Sequence, residues 1–197
     1  MGKGRLEAFS DGVIAIIITI MVLELKAPHA PTLGALGPLL PLFLSYVLSF
    51  VYVGIYWNNH HHLLHASHRV NGRVLWANMH LLFWLSLVPF TTSWMGASGF
   101  AATPVAVYGV VLLLAALAFW MLDLALIHLH GPDSTLARAV GAGGKEKVSM
   151  LLYALGIVGA RISPWVGFAI YVVVAVIWFI PDRRIARRLA NLSPPQA

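Results

Sequence analysis

The sequence predicts an all-α integral membrane protein with six transmembrane helices, in a single domain over residues 1–197. Of its 197 residues, 59% are hydrophobic and only 10% are charged, which exceeds what a soluble domain of this size usually carries. The thirteen Lys and Arg residues lie at the ends of apolar segments. That distribution is typical of membrane orientation, and no aromatic and basic groove for nucleic acid accompanies it.

The first predicted helix covers about residues 9–25. Its apolar run extends from Gly12 to Leu23, and Glu24 and Lys26 close it. At 1.5 Å per residue, this helix barely crosses a hydrocarbon core of about 30 Å. We therefore expect longer helices to surround it.

Two other interpretations of this stretch remain open. Ser10 and Asp11 are typical of a helix N-cap, because Ser or Asp commonly starts a helix and acids suit its first turn. A signal peptide is the second, since Lys3 and Arg5 precede an apolar core. The position of Asp11 beside that core and the many later spans argue against a signal peptide.

The residue types of the first helix separate by face. At 100° per residue, Asp11 lies almost opposite a single stripe, with Ser10 between. We expect the stripe to meet an aqueous path and Asp11 to point towards neighbouring helices. The stripe contains Ile16, Thr19, Ile20 and Leu23.

Proline and polar residues delimit the other helices. Pro38 and Pro41 fall in first turns, where a missing N–H is tolerated. Pro89 predicts a kink or a local break, and Pro181 ends the last helix. Polar loops are expected over 58–73 and 131–147. The five helices cover about residues 36–60, 74–96, 104–130, 148–162 and 165–180.

Six spans place both termini on one side, and the basic residues indicate which. Only Lys26 and Arg161 would then face outwards. The excess predicts that both termini are cytoplasmic. The basic residues on the cytoplasmic side would be Lys3, Arg5, Arg69, Arg73, Arg138, Lys145, Lys147, Arg183, Arg184, Arg187 and Arg188.

A histidine cluster follows the second helix. Its members His61, His65 and His68 have the spacing i, i+4, i+7, which could hold a divalent transition metal. The stretch from residue 58 to residue 73 contains no carboxylate, so we favour interfacial hydrogen bonding and predict no metal site. A pH-sensitive patch is the alternative. The full cluster is His60, His61, His62, His65 and His68.

Asp123 is the other polar residue that needs an explanation. An intramembrane carboxylate is a functional hypothesis by default. The alternative, which we favour, is that Asp123 lies near the headgroups or pairs with Arg or His of another helix.

Motifs of enzymes are absent from the sequence. It contains no G-x-S-x-G, H-E-x-x-H or P-loop, and its seven carboxylates are scattered. The lack of cysteine excludes disulfides and thiolate chemistry. No T-V-G-Y-G-type filter occurs, so selectivity in a channel would come from the side chains of helix one. Because no internal repeat is evident, a pore lined by that helix requires several chains.

Three motifs carry a resemblance to a known family. The pattern R-x-x-x-F-S-D-G, from Arg5 to Gly12 and followed by an apolar helix, resembles the signature of the prokaryotic homologues of the endolysosomal potassium channel, transmembrane protein 175. The segments YWNNHH, at 56–61, and NMHLLFWLSLVPF, at 78–90, resemble that family's second and third helices. The resemblance spans most of residues 5–96.

The resemblance implies a potassium-permeable cation channel rather than an enzyme. Six-helix subunits would form a homotetramer in the bacterial inner membrane, with helix one lining a central pore, K⁺ as the permeant ion and no cofactor. Ile16, Ile20 and Leu23 match the family's apolar gate and selectivity positions, and Thr19 matches a position that can hold a hydroxyl. The implied structural hydrogen-bond network contains Arg5, Phe9, Ser10, Asp11, Trp57, His61, Asn78 and His80.

Two other classes of function remain as alternatives. One is a small proton-coupled secondary transporter that uses Asp11, Asp123 or the histidines. The other is a non-transporting membrane scaffold whose N-terminal motif only packs helices.

Overall fold

The computed structural model describes residues 2–141 and 143–179, and within these ranges the chain is all α-helical, without strands. A 3₁₀ segment, Leu33–Leu39, leads into the second helix. The helices are α1 Lys3–Leu23, α2 Leu40–His65, α3 Gly72–Ser86, α4 Val88–Ala97, α5 Ala102–His130, α6 Thr135–Val140, α7 Gly144–Ile162 and α8 Pro164–Phe179.

Helix α1 begins at Lys3, six residues before the expected start. Residues 3–8 are mostly good helix formers, and Lys3 pairs with Glu7 across 3.6 Å at i, i+4. Gly2 is the N-cap. Ser10 lies inside the helix, where its Oγ donates to the Leu6 carbonyl at 2.8 Å. The N-cap interpretation of Ser10 and Asp11 is therefore wrong.

Helix α2 continues to His65, five residues beyond its expected end. No Gly or Pro interrupts residues 58–66, so the polar run that we expected to be a loop is helical as far as His65. The third expected helix is divided, as Pro89 predicted: α3 ends at Ser86 and α4 begins at Val88. The missing N–H of Pro89 falls in the first turn of α4, where it needs no acceptor.

The C-terminal half differs from expectation mainly at helix ends. Helix α7 starts at Gly144, four residues early, and the expected loop before it contains the short helix α6. Helix α8 is described as far as Phe179. The predicted stop at Pro181 and the four tail arginines lie outside the described residues.

Helix α5 is the centre of the packing, since it contacts α3, α4, α7 and α8, whereas α1 packs on α2, α3 and α4. Several buried hydroxyls are paired inside this core: Ser49 bonds to Thr92 at 2.6 Å and to Tyr108 at 3.0 Å. The buried Tyr171 hydroxyl has no partner among the described residues. Tyr52 donates to the carbonyl of Tyr171 at 2.6 Å. Such internal pairing is what an apolar surrounding requires of polar groups.

Contacts between helix ends show that successive long helices alternate in direction. At one end, Lys3 Nζ donates to the His65 carbonyl at 3.4 Å and Arg69 donates to the Leu129 carbonyl at 3.1 Å. These contacts bring together the start of α1 and the ends of α2 and α5. We call this the basic end.

Four helical stretches within the described residues are long and apolar enough to cross a membrane. Helix α8 is apolar but shorter, over its described length. The chain is thus an all-helical protein with several membrane-capable helices. The four stretches are Lys3–Leu23, Leu33–His65, Gly72–Ala97 and Ala102–His130.

A glycine-to-alanine pair tests the packing of α2 on α4. A Cβ at Gly96 would lie 2.5 Å from Ser45 Oγ and 2.6 Å from Leu42 Cα, whereas a Cβ at Gly54 would meet nothing within 4 Å. We expect Gly96→Ala to lower the free energy of unfolding by about 1–3 kcal/mol. Gly54→Ala, the matched helical control, should be neutral or slightly stabilising. Thermal melting in detergent measures both, and equal Tm values would contradict the packing.

Candidate functional site

Helix α1 presents one apolar face to the outside of the subunit. Ile16 is 57% exposed and Leu23 is 75% exposed, whereas Ile14 and Ile17 are at most 3% exposed. Both faces are apolar, so the difference does not come from hydrophobicity. The α1 stripe, which contains Ile16, Thr19, Ile20 and Leu23, lies within the half of α1 that its own subunit leaves uncovered, together with Gly12, Ala15 and Val22.

An open groove lies beside this stripe, between α1 and α4. Ile16 and Ile20 form part of its α1 wall, and Phe90 and Trp94 form part of its α4 wall. Glu24 closes one end of the groove on the α1 side. Its Oε2 accepts a hydrogen bond from Ser93 Oγ at 2.9 Å.

Thr19 is the polar member of the stripe. Its Oγ1 donates to the Ile16 carbonyl at 2.9 Å. The hydroxyl hydrogen is thereby used within the helix, which leaves the oxygen lone pairs available at an exposed position. An oxygen of this kind can contact a partly dehydrated cation.

A chain of buried hydrogen bonds fixes α1 against α2 and α3. Asn78 Nδ2 donates to Ser10 Oγ at 2.9 Å, and Asn78 Oδ1 bonds to His60 Nε2 at 2.7 Å. The three side chains are 1% exposed or less. One amide therefore joins three helices, and we call this chain the α1 clamp.

A second polar contact holds α1 nearer the surface. Trp57 Nε1 donates to Asp11 Oδ1 at 3.0 Å. The His61 ring stacks on Trp57, with centroids 5.9 Å apart, and His65 stacks on His61 at 6.0 Å. All four side chains are exposed, so this stack lies on the outside of the subunit.

The structure brings together only some of the residues that the resemblance grouped. Arg5 and Phe9 have exposed side chains. His80 bonds to Trp84 of its own helix at 2.8 Å. His60, which sequence reasoning placed in the histidine cluster and not in this network, occupies the buried position beside Asn78. Its spacing of four from buried Tyr56 and Leu64 was the available signal.

The remaining polar candidates lie apart from the stripe. His68 follows the end of α2 and its ring lies 6.3 Å from that of His130, away from the His61 and His65 stack. No group of three metal-binding side chains occurs among the described residues. Asp123 is 3% exposed, so it does not lie at the surface, and it forms no ion pair within the described part of the chain.

The fold defines an all-helical membrane protein whose first helix exposes an apolar face and is held from behind by a polar clamp. A sequence model of the endosomal/lysosomal potassium channel TMEM175 matches residues 5–89. A potassium channel of Chryseobacterium sp. (strain P1-3) is 53% identical over 96% of this chain and 98% of its own. The chain belongs to the TMEM175 potassium channel family.

Two further comparisons extend over most of the fold. A potassium channel of Streptomyces collinus is 36% identical over 84% of this chain and 82% of its own. The crystal structure of a lysosomal potassium-selective channel TMEM175 homolog from Chamaesiphon minutus matches with a TM-score of 0.79 at 28% identity. That match covers 89% of this chain and 95% of the homolog.

Replacing Asn78 tests the α1 clamp. Asn78→Ala removes both bonds and leaves the buried His60 Nε2 without a partner, which we expect to cost about 1–3 kcal/mol of unfolding free energy. The Ser10 hydroxyl keeps its bond to the Leu6 carbonyl. The exposed Asn58→Ala is the control and should change the Tm little. Thermal melting of both variants in detergent measures the difference. Indistinguishable Tm values would remove the clamp from the forces that hold α1.

Proposed function

We infer that this chain is one subunit of a homotetrameric, potassium-permeable cation channel whose central pore is lined by the α1 stripe. The observation that carries this inference is the exposure of the stripe on a helix whose rotation is fixed by the clamp. Lipid can cover the exposed apolar side chains of other helices, such as Trp76 and Ile162, whereas the stripe also presents the Thr19 hydroxyl and is suited to meet other copies of itself around an axis. Two relatives that cover most of the chain are named potassium channels, which supports the permeant ion.

We also propose six spans for each subunit. Besides the four stretches that are long and apolar enough, α7 has 19 residues and the described part of α8 has 16. Helix α7 carries Lys145, Glu146 and Lys147 at its start, so its apolar part is short. Helices α7 and α8 pack against α5. Because α5 covers one side of each, neither helix has to be as long as an isolated transmembrane helix. An even number of spans places the termini on one side, which we propose is the cytoplasm of a bacterial inner membrane.

The requirement for several copies follows from the single stripe. Each chain contributes one α1, and one helix cannot enclose a path. Rotation about an axis repeats the same contact and closes a ring. The stripe of each copy then faces the axis, with its clamp on the outer side.

The rings formed by Ile16, Ile20 and Leu23 supply the proposed gate and selectivity constriction. An apolar ring offers an ion nothing to replace its hydration water, so a narrow ring blocks conduction by sterics and by dewetting. Thr19 adds an oxygen between two of these rings, one turn or less from Ile16 and Ile20. We propose that Ile16 forms the narrowest ring and that Thr19 tunes the preference among cations.

The clamp and the outer polar contacts have a structural role in this proposal. Ser10, Asn78 and His60 are buried behind the stripe, and Asp11 with Trp57 holds the same helix further out. They set the rotation of α1 and do not contact the permeant ion. Arg5, Phe9, His61 and His80 are candidates for contacts between subunits or along the basic end.

An asparagine at the narrowest ring tests the gate. Ile16→Asn should hydrate the ring, raise the leak current and weaken the discrimination between K⁺ and Na⁺, because amide groups replace apolar ones. Val22→Asn, an exposed change on the same helix about 120° away from Ile16, is the matched control and should leave both unchanged. Currents normalised to assembled channel in planar bilayers measure the effect. An unchanged open probability and selectivity in well-assembled Ile16→Asn protein would remove this residue from the gate.

Reporter fusions test the orientation. A reporter at Ala197 should read as cytoplasmic and one inserted at His29, between α1 and α2, should read as external, because basic residues are retained inside. Paired phosphatase and fluorescent-protein fusions in bacteria give the two readings. An external reading at Ala197 would contradict the six-span count.

A further inference from the structure

Glu24 lies at the end of the α1 stripe that is opposite the basic end. It follows Ile20 by four residues and Leu23 by one, and its side chain is exposed. As the C-cap of α1, its carboxylate stands at the negative end of the helix dipole. A carboxylate in this position does not stabilise its own helix, so its placement needs another explanation.

Ser93 fixes the direction of this carboxylate. The hydrogen bond from Ser93 Oγ to Glu24 Oε2, at 2.9 Å, joins the end of α1 to α4. A serine hydroxyl is neutral, so the bond holds the carboxylate without cancelling its charge. Glu24 forms no ion pair among residues 2–141 and 143–179, and the carboxylate keeps lone pairs for other donors or cations.

Glu24 is far from other acidic side chains. The other carboxylates that the structure describes all lie towards the basic end, and Glu24 lies at the opposite end of the helices. Two bases accompany it here. Arg161 lies on α7, which packs against α5 and α8, while Lys26 is two residues from Glu24 and weakens its field. The remaining described carboxylates are Glu7, Asp11, Asp123, Asp133 and Glu146.

We propose that Glu24, positioned by Ser93, forms a ring of carboxylates at the outer mouth of the pore that concentrates hydrated monovalent cations before they reach the Leu23 ring. The inference rests on the proposed function, because it requires the α1 stripes of several subunits to surround one axis. One fixed charge from each subunit then faces a confined entrance. A fixed charge of one sign at such an entrance raises the local counter-ion concentration.

Screening by salt gives this mechanism a signature that a packing role lacks. The Debye length is about 30 Å at 0.01 M salt and about 3 Å at 1 M. A carboxylate ring therefore raises the local K⁺ concentration at low salt and has almost no effect at high salt. The effect also depends on the salt of the outer solution alone, because the basic end lies on the other side of the membrane.

Single-channel recording from the reconstituted full chain tests the proposal. With about 20 mM KCl outside, Glu24→Gln should lower the inward K⁺ conductance by about threefold or more, and at about 1 M KCl it should match the unsubstituted channel. Glu7→Gln, the same change at the opposite end of α1, is the control and should leave inward conductance unchanged at both concentrations. Equal conductance of Glu24→Gln and the unsubstituted channel at low salt would overturn the proposal, and so would an equal loss at all salt concentrations.

The role of Ser93 has its own readout. Ser93→Ala should lower the low-salt conductance when Glu24 is present and change nothing in the Glu24→Gln background. An effect of equal size in both backgrounds would show that Ser93 acts independently of the carboxylate. If Glu24→Gln fails to assemble, the unsubstituted channel alone tests the carboxylate ring. Its inward K⁺ conductance should level off as the outer KCl concentration falls. A conductance strictly proportional to outer KCl would reject the ring.

Failure of the proposed function is a different result. An unsubstituted chain that assembles but conducts no K⁺ at any concentration would reject the channel itself. If Ile16→Asn changes the K⁺ conductance and Glu24→Gln does not, the Glu24 carboxylate ring is rejected and the proposed channel is retained.

Discussion

The buried hydrogen-bond chain from Ser10 through Asn78 to His60 is the interaction on which the rest of the structure depends. Apolar contacts alone set the rotation of a helix weakly in a membrane, because lipid tails are as apolar as leucine. The clamp fixes the rotation of α1 about its own axis, because its bonds of 2.9 and 2.7 Å can form at only one rotation. With that rotation fixed, Ile14 and Ile17 face the core and the α1 stripe faces outwards.

The helices that pack behind α1 stabilise the subunit, whereas the α1 stripe lines the proposed ion path. Helix α5 contacts α3, α4, α7 and α8, and its Tyr108 lies in the buried hydroxyl chain with Ser49 and Thr92. These three hydroxyls have partners in the subunit, whereas the nearby Tyr171 hydroxyl is buried without a partner among the described residues. The stripe has the opposite character, because its apolar side chains are exposed and form no part of this core. Stability and the proposed conduction therefore reside in different helices.

Much of this arrangement could be predicted from residue patterns. Apolar segments and prolines gave the helices and the break at Pro89, and the 100° periodicity gave the stripe on α1. The helix starts at Lys3, before the apolar run, because the Lys3 and Glu7 pair and the helix-forming residues around it extend α1 beyond the part that hydrophobicity predicts. The expectation of a loop directly after residue 60 was wrong, because residues 61–66 include no Gly or Pro that would end the helix.

Partners between helices were harder to predict than helices. His60 and His61 are adjacent, and the rotation of α2 in the bundle, which buries His60 and exposes His61, determines which of them meets Asn78. The contact between Glu24 and Ser93 joins residues 69 apart, and neither belongs to a recognisable motif. Such pairs depend on how the break at Pro89 directs α4, which the local sequence does not encode.

The central claim is that the α1 stripe faces the ion path, and cysteine accessibility along α1 tests it most directly. The chain has no cysteine, so single cysteines from position 14 to position 24 can be labelled with a charged thiol reagent while K⁺ flux is recorded. We expect cysteines at Ile16, Thr19, Ile20 and Leu23 to react and change the flux, whereas those at Ile14, Ile17 and Met21 should be protected. Reaction at the second set, or flux unaffected by labelling the first, would contradict it.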